Sequence, residues 1–144
     1  MKRSLERDRV QREPHLIWNA FVDLLSIEDY ADLSPLQRKA HLAYWYESEV
    51  ENGGHGQYFE NRGTHQLAET IAALTDLDLS CHARVLSRAA SALPAKDPQS
   101  NWEEILEEEF IEELDEAFNT CSPTIAEGLE RHLAAHQDEY VEQT

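Results

Sequence analysis

The chain has 144 residues, 41% of them hydrophobic, with 12 basic and 29 acidic side chains and a formal net charge of −17. That length supports one domain with a real core, burying roughly 70% of its unfolded surface. The charge argues against direct binding of nucleic acid or an anionic membrane and favours basic surfaces.

The charge is unevenly spread. Residues 1–12 carry Lys2, Arg3, Arg7, Arg9 and Arg12 against Glu6 and Asp8, a net of +3, which leaves residues 13–144 at −20. Residues 1–12 are therefore expected to be a basic segment, loose or extending the first helix, and residues 13–144 an acidic all-α domain. No apolar run approaches the ~20 residues a membrane span needs. The charged N-terminus has no apolar h-region, so a cytoplasmic protein is expected.

Helix signals follow one another and strand signals are absent. Pro14 suits a first helical position, and Leu16, Ile17, Ala20, Phe21, Leu24, Leu25 and Ile27 recur at three-to-four spacing, predicting a helix ending near Tyr30. Ser34-Pro35 with Gln37 is a capping box opening a second helix through Leu36, Ala40, Ala43, Tyr44, Glu47 and Val50. Asn52-Gly53-Gly54 ends it, because these residues tolerate positive φ. A short helix, Gly56 to Arg62, stops at Gly63. Thr64 and Ser80 are expected to cap the next two helices, which carry Leu67, Ile71 and Leu74, then Val85, Leu86, Ala89, Ala90 and Leu93.

Pro94 to Gln99 reads as a loop. Ser100 with Glu103 is a second capping box, starting a helix that runs to about Asn119. Ser122-Pro123 starts the last helix, with Ile125, Leu129, Leu133, His136 and Tyr140. The sum is an all-α, single compact domain of about seven helices. Cys81 and Cys121 have neither a CxxC partner nor zinc-ligand spacing, and free buried thiols in a reducing cytoplasm are the expectation.

The helix from Ser100 is the most unusual element. Nine carboxylates lie between Glu103 and Glu116, and no Lys or Arg occurs between Lys96 and Arg131. Like charges at helical spacing cost roughly a few tenths of a kcal/mol per pair, so folding alone does not call for them. At 100° per residue, Trp102, Leu106, Phe110, Leu114, Ala117 and Phe118 share one face. Glu104, Glu108, Glu109, Glu112, Asp115 and Glu116 take the opposite arc, with Glu107 and Glu113 flanking the apolar stripe. Fourteen residues rise roughly 21 Å, or one charge per ~2.3 Å. Duplex DNA presents one per ~1.7 Å and a single strand one per ~3.4 Å. Two readings follow: a solvated face that keeps the protein soluble, or a surface for a cationic partner.

The segment Tyr46 to Gly63 is unusually specific. Adjacent glycines after Asn52 make a sharp reversal, and Glu47, Asn52, Gln57, Tyr58 and Asn61 can meet across it. A buried polar clasp satisfying helix ends is the favoured reading; a polar pocket is the other. The pattern Glu49-Val50-x-Asn52-Gly53-Gly54-x-x-Gln57-Tyr58-Phe59-x-Asn61-x-Gly63, followed by Ala72-Ala73-Leu74, resembles the bacterial DNA-mimic protein family, most of whose members are filed as a domain of unknown function. The resemblance covers roughly residues 15–140 in element order. His55 departs from the aromatic, usually Phe, common in that family. The resemblance implies an all-α fold, an acidic surface, a homodimer and binding to a DNA-binding transcriptional regulator in place of DNA. Its motif residues are scaffold, and mimicry in the family is assigned to surface acids.

Other chemistry is weaker. His132 and His136 share a helical face at a zinc-compatible spacing, but Leu129, Leu133 and Tyr140 share it too. His41, His55 and His65 lie near the turn without fixed geometry. Adjacent Cys81 and His82 point to different faces, and no phosphate loop is present. Catalytic residues, metal ligands and cofactors are therefore expected to be absent.

The expected function is a non-enzymatic interaction protein whose Glu104, Glu107, Glu108, Glu109, Glu112, Glu113, Asp115 and Glu116 meet the basic DNA-binding surface of a partner. Two alternatives stand beside it. One is a small metal-binding or hydrolytic enzyme at the polar turn near Asn52. The other is an immunity-type antagonist of a basic toxin.

Overall fold

A computed structural model describes residues 1–93 and 102–144. The expected loop at 94–99 and the cap at Ser100 lie outside the described residues. The order is β1 (Arg3–Leu5), α1 (Arg7–Arg12), α2 (His15–Ile27), a 3-10 turn (Tyr30–Asp32), α3 (Pro35–Arg62), α4 (Leu67–Asp76) and α5 (Ser80–Ala92). It continues with α6 (Trp102–Ile105), α7 (Glu108–Thr120), α8 (Ile125–His136), a second 3-10 turn (Gln137–Glu139) and β2 (Val141–Gln143). The protein is an all-α domain with one small parallel sheet.

The core is built from the faces the periodicity marks. α2 buries Phe21, Leu24 and Leu25, and α3 buries Ala40, Ala43 and Tyr46. α4 and α5 close over them with Leu74, Leu86 and Ala89, and α8 supplies Ile125, Leu129 and Leu133. Tyr46, Tyr140, Phe21 and Phe59 are the largest fully buried side chains.

The capping box at the start of α3 forms as expected: Gln37 N–H donates to Ser34 Oγ at 3.2 Å, and Ser34 N–H donates to Gln37 Oε1 at 3.0 Å. Gln37 does more than cap. Its Nε2 donates to the carbonyls of Met1 at 2.6 Å and Glu139 at 2.7 Å. One buried amide thus holds the segments leading into both strands. β1 and β2 pair in parallel, with Arg3 opposite Val141 and Leu5 opposite Gln143.

Residues 1–12 therefore form a strand and a short helix rather than a loose end or an extension of the first helix. Glu13 separates α1 from α2, and Val10 is buried. The sheet itself carries no strand signal in the sequence because each strand is only three residues long; such short segments show no alternation to read.

Gly53 and Gly54 interrupt α3, at φ −153°, ψ 20° and φ 75°, ψ −175°. The chain resumes helical geometry at once, so the helices before and after the turn are two arms of one element. Gly63, at φ 66°, ends the second arm.

Several expectations need correction. Neither Thr64 nor Ser80 caps a helix: α4 is preceded by Gln66 and α5 by Leu79, neither with a side-chain cap bond. The acidic segment is not one helix: Glu107 is extended (φ −67°, ψ 152°) between α6 and α7. The break gives Glu103 and Glu104, then Glu108 and Glu109, two separate first turns, where the helix dipole favours carboxylates. An unbroken helix would hold Glu107–Glu109 in mid-helix against their own neighbours. Next, α8 is capped by Thr124, not Ser122, in a box with Glu127. Finally, Cys81 and Cys121 are not free thiols but a disulfide, since the packing of α5 against the end of α7 brings them together.

Candidate interaction surface

α7 turns Leu114 and Phe118 into the core and presents Glu108, Glu109, Glu112, Glu113 and Glu116 to solvent. α6 adds exposed Glu103 and Glu104, and Glu107 is exposed between the two helices. Along α7, Glu108, Glu112 and Glu116 form one row at four-residue spacing, with Glu109 and Glu113 beside it. From Glu108 to Glu116 the axial rise is roughly 12 Å. Five exposed charges over that length is one per about 2.4 Å, still between the values for a duplex and a single strand.

These acids are barely neutralised from within. Among the described residues, Glu113 alone of the ridge meets an Arg or Lys, at 3.5 Å from Arg88. Exposed pairs of that kind contribute little, about 0–1 kcal/mol. The cations of α3 are occupied elsewhere. Arg38 donates to the carbonyls of Tyr30 and Ala31, Lys39 pairs with Asp76, and the Arg62 guanidinium stacks on Trp45 at 3.8 Å.

Asp115 stands apart from the ridge it was grouped with. Its Oδ1 accepts from the backbone N–H of His55 and from His55 Nδ1, both at 2.7 Å. His55 is fully buried, and its Nε2 lies 2.7 Å from Tyr46 Oη. Burial holds His55 below its usual pKa, against the opposing pull of Asp115. Burial also raises the Tyr46 phenol well above its ordinary value. A neutral imidazole then donates through Nδ1 to Asp115 and accepts the Tyr46 proton at Nε2. Asp115 thus binds the ridge to the turn in α3. The signal for this was present, since Asp115 is only about 60° from Phe118 around the helix, beside the apolar stripe.

A polar clasp forms with Glu49 at its centre, Asn52 and Asn61 exposed, and side chain–side chain bonds in place of the expected bonds to helix-end backbone. Glu49 Oε2 accepts from Asn61 Nδ2 at 2.6 Å and from Gln57 Nε2 at 3.3 Å, while Asn52 Nδ2 donates to Gln57 Oε1 at 3.1 Å. A Cβ on Gly53 would collide with Gln57, and one on Gly54 would sit 2.5 Å from Asp115 Oδ2. Both glycines are therefore required by close approach, and Gly54 by its positive φ as well. Tyr58 and Phe59 go into the core. The cavity Tyr58 lines with His41, Trp45, Arg62 and Thr70 measures about 20 Å³, room for one water.

Glu47 leaves the clasp and accepts from the Ala126 N–H at 3.0 Å, at the start of α8. Burial, then the charge of Glu51, push its pKa up to about 7 although that N–H opposes the shift. Sequence reasoning missed this role, because the partner is 79 residues away.

His41 and His132, both buried, are spent on packing. His41 Nδ1 bonds the Leu25 carbonyl at 3.0 Å, and His132 Nε2 lies 2.6 Å from Tyr140 Oη. Among the described residues, no group of three or more His, Cys, Asp or Glu side chains is arranged to hold a metal. No described helix is long and apolar enough to cross a membrane.

A family model described as DMP19-like protein matches residues 31–142. The chain belongs to that family. The DMP19-like region takes in the clasp, the disulfide and both acidic helices, and leaves β1, α1 and α2 outside. No curated protein and no solved structure gave a match.

Proposed function

We propose that this DMP19-like chain is a non-enzymatic interaction protein, a DNA mimic that occupies the basic DNA-binding surface of a partner such as a transcriptional regulator. The observation that carries this reading is a run of exposed carboxylates on two consecutive helices, left nearly unpaired by the cations among the described residues. Beyond the first turns, folding gains nothing from such an arrangement, and like charges at this spacing oppose it. The resemblance of the Glu49–Gly63 motif to DNA-mimic proteins points the same way.

The mechanism is competition. Carboxylates stand where phosphates would, and Lys or Arg of the partner exchanges one anion for the other. Each contact is weak alone. Affinity comes from many contacts and from long-range steering. A homodimer would extend the ridge, and Ile105, an exposed apolar residue beside it, is the place where a second copy would add contact. The proposed location is the cytoplasm, where DNA-binding partners act.

Capture of partners from the native cell, followed by titration of each captured protein with duplex DNA, tests this reading. DNA-binding proteins that duplex DNA displaces are expected. A captured set without DNA-binding proteins, or partners retained at saturating duplex, would contradict it.

A further inference from the structure

Cys81 is the second residue of α5, and Cys121 follows the last residue of α7. Their bond closes a 40-residue span that contains all of α6 and α7. All nine carboxylates of residues 103–116 therefore sit inside one cystine loop, which ties the C-terminal end of the ridge to the body.

The other ties on this segment are noncovalent. Leu106, Leu114 and Phe118 are buried, Trp102, Phe110, Ile111 and Ala117 pack partly buried against the core, Asp115 bonds His55, and Glu113 meets Arg88. The two residues are unequally covered. Cys121 is buried, whereas Cys81 is only partly covered. Cys81 also lies in the first turn of α5, where the helix dipole stabilises a thiolate.

We propose that Cys81–Cys121 is a thiol–disulfide exchange site for a dithiol reductant, and that its redox state sets whether the acidic ridge is held against the body. The consequence for a partner rests on the reading of the ridge given above; the exchange does not. One thiolate of the dithiol attacks Cys81 Sγ, the protein S–S bond breaks, and Cys121 leaves as a thiolate that takes up a proton. The second thiolate of the reductant then attacks its own sulfur in the mixed disulfide and releases Cys81 as a thiolate at the start of α5. The protein gains two electrons, the dithiol becomes a disulfide, and its two protons pass to the cysteine thiolates or to solvent. Without the cross-link the loop regains chain freedom, and repulsion among the carboxylates acts on helices held by noncovalent contacts alone.

Hydrogen exchange on the oxidised and the dithiothreitol-reduced full chain tests this, with free thiols counted by alkylation and binding to poly-L-lysine measured on both forms. Two thiols are expected to appear on reduction. Protection across 102–120 is expected to fall about tenfold or more, while α2 and the first arm of α3 keep theirs. Affinity for poly-L-lysine is expected to fall with it. The Cys81→Ser/Cys121→Ser chain, which cannot reoxidise, is expected to match the reduced form. Resistance of the folded chain to dithiothreitol, unchanged protection in 102–120 after full reduction, or protection lost equally throughout the molecule would each overturn the proposal. If protection falls as expected and poly-L-lysine binds neither form, the exchange site stands and the ridge fails as a cation-binding surface.

Discussion

Gly54, His55 and Asp115 form the junction on which the acidic surface is mounted. Gly54 admits the Asp115 carboxylate because it has no Cβ, and His55 presents two donors to that carboxylate. Asp115→Ala leaves a buried imidazole N–H without a partner, which costs about 1–3 kcal/mol. Urea unfolding should show that loss, whereas Glu116→Ala should change stability by less than about 0.5 kcal/mol. Equal effects of the two substitutions would remove the distinction between anchor and ridge. His55 was visible in the sequence only as a departure from an aromatic position; its role could not be read there, since Asp115 is 60 residues away.

Glu47 makes a second prediction at this scale. Burial and the Glu51 charge raise its pKa from the ordinary carboxyl value near 4.5 to about 7, so the fold favours the protonated carboxyl. Its contribution to stability is fully present below about 4.5 and is lost as pH rises through about 7. Glu47→Gln keeps an oxygen for the Ala126 N–H and carries no charge. The variant should be more stable than wild type at pH 8, with the difference shrinking toward pH 5 in parallel thermal melts. A difference independent of pH would contradict the assignment.

At the level of elements, local chemistry was legible where a rule acts within one turn. The Ser34–Gln37 box, the glycine break in α3 and the stop at Gly63 were all readable because cap geometry and positive φ depend on neighbours. The break between α6 and α7 was not. The apolar stripe from Trp102 to Phe118 continues across it in helical register, so periodicity alone predicts one helix. An unbroken helix would set Glu103 against Glu107 and Glu104 against Glu108 at four-residue spacing, and a second helix N-terminus relieves that repulsion. The ridge should consequently be a burden to folding. Glu112 and Glu116, which lie beyond the first turn of α7, changed together to Gln should leave stability equal or raised by about 0.5–1 kcal/mol at low salt, from several pairs of a few tenths each. Calorimetry showing marked destabilisation would mean these acids serve the fold.

Across the whole molecule, long-range closure was the least legible property. The sheet joins residues 3–5 to residues 141–143, and the disulfide joins α5 to the end of α7. Two cysteines far apart with no recognisable spacing say nothing about pairing until the helices are placed. The chain-entropy relation gives roughly 4 kcal/mol for a cross-link closing a span of this length. Gln37, which bonds Ser34 and the carbonyls of Met1 and Glu139, is a second closure. Gln37→Ala should cost about 2 kcal/mol or more and expose the Arg3 and Thr144 amides to exchange before the rest of the core. The charge pattern, by contrast, needed no structure: the net of −17 and the cation-free stretch are plain in the sequence, and the fold adds which carboxylates are outward and which one is an anchor. The most direct measurement of the central claim is the affinity of the chain for a captured DNA-binding partner across a salt series, for wild type and for the variant with Glu108, Glu109, Glu112 and Glu116 changed to Gln. A steep fall of wild-type affinity with salt, and a weaker, flatter response of the variant, is the predicted result. Equal affinity of the two chains, or a wild-type affinity indifferent to salt, would contradict it.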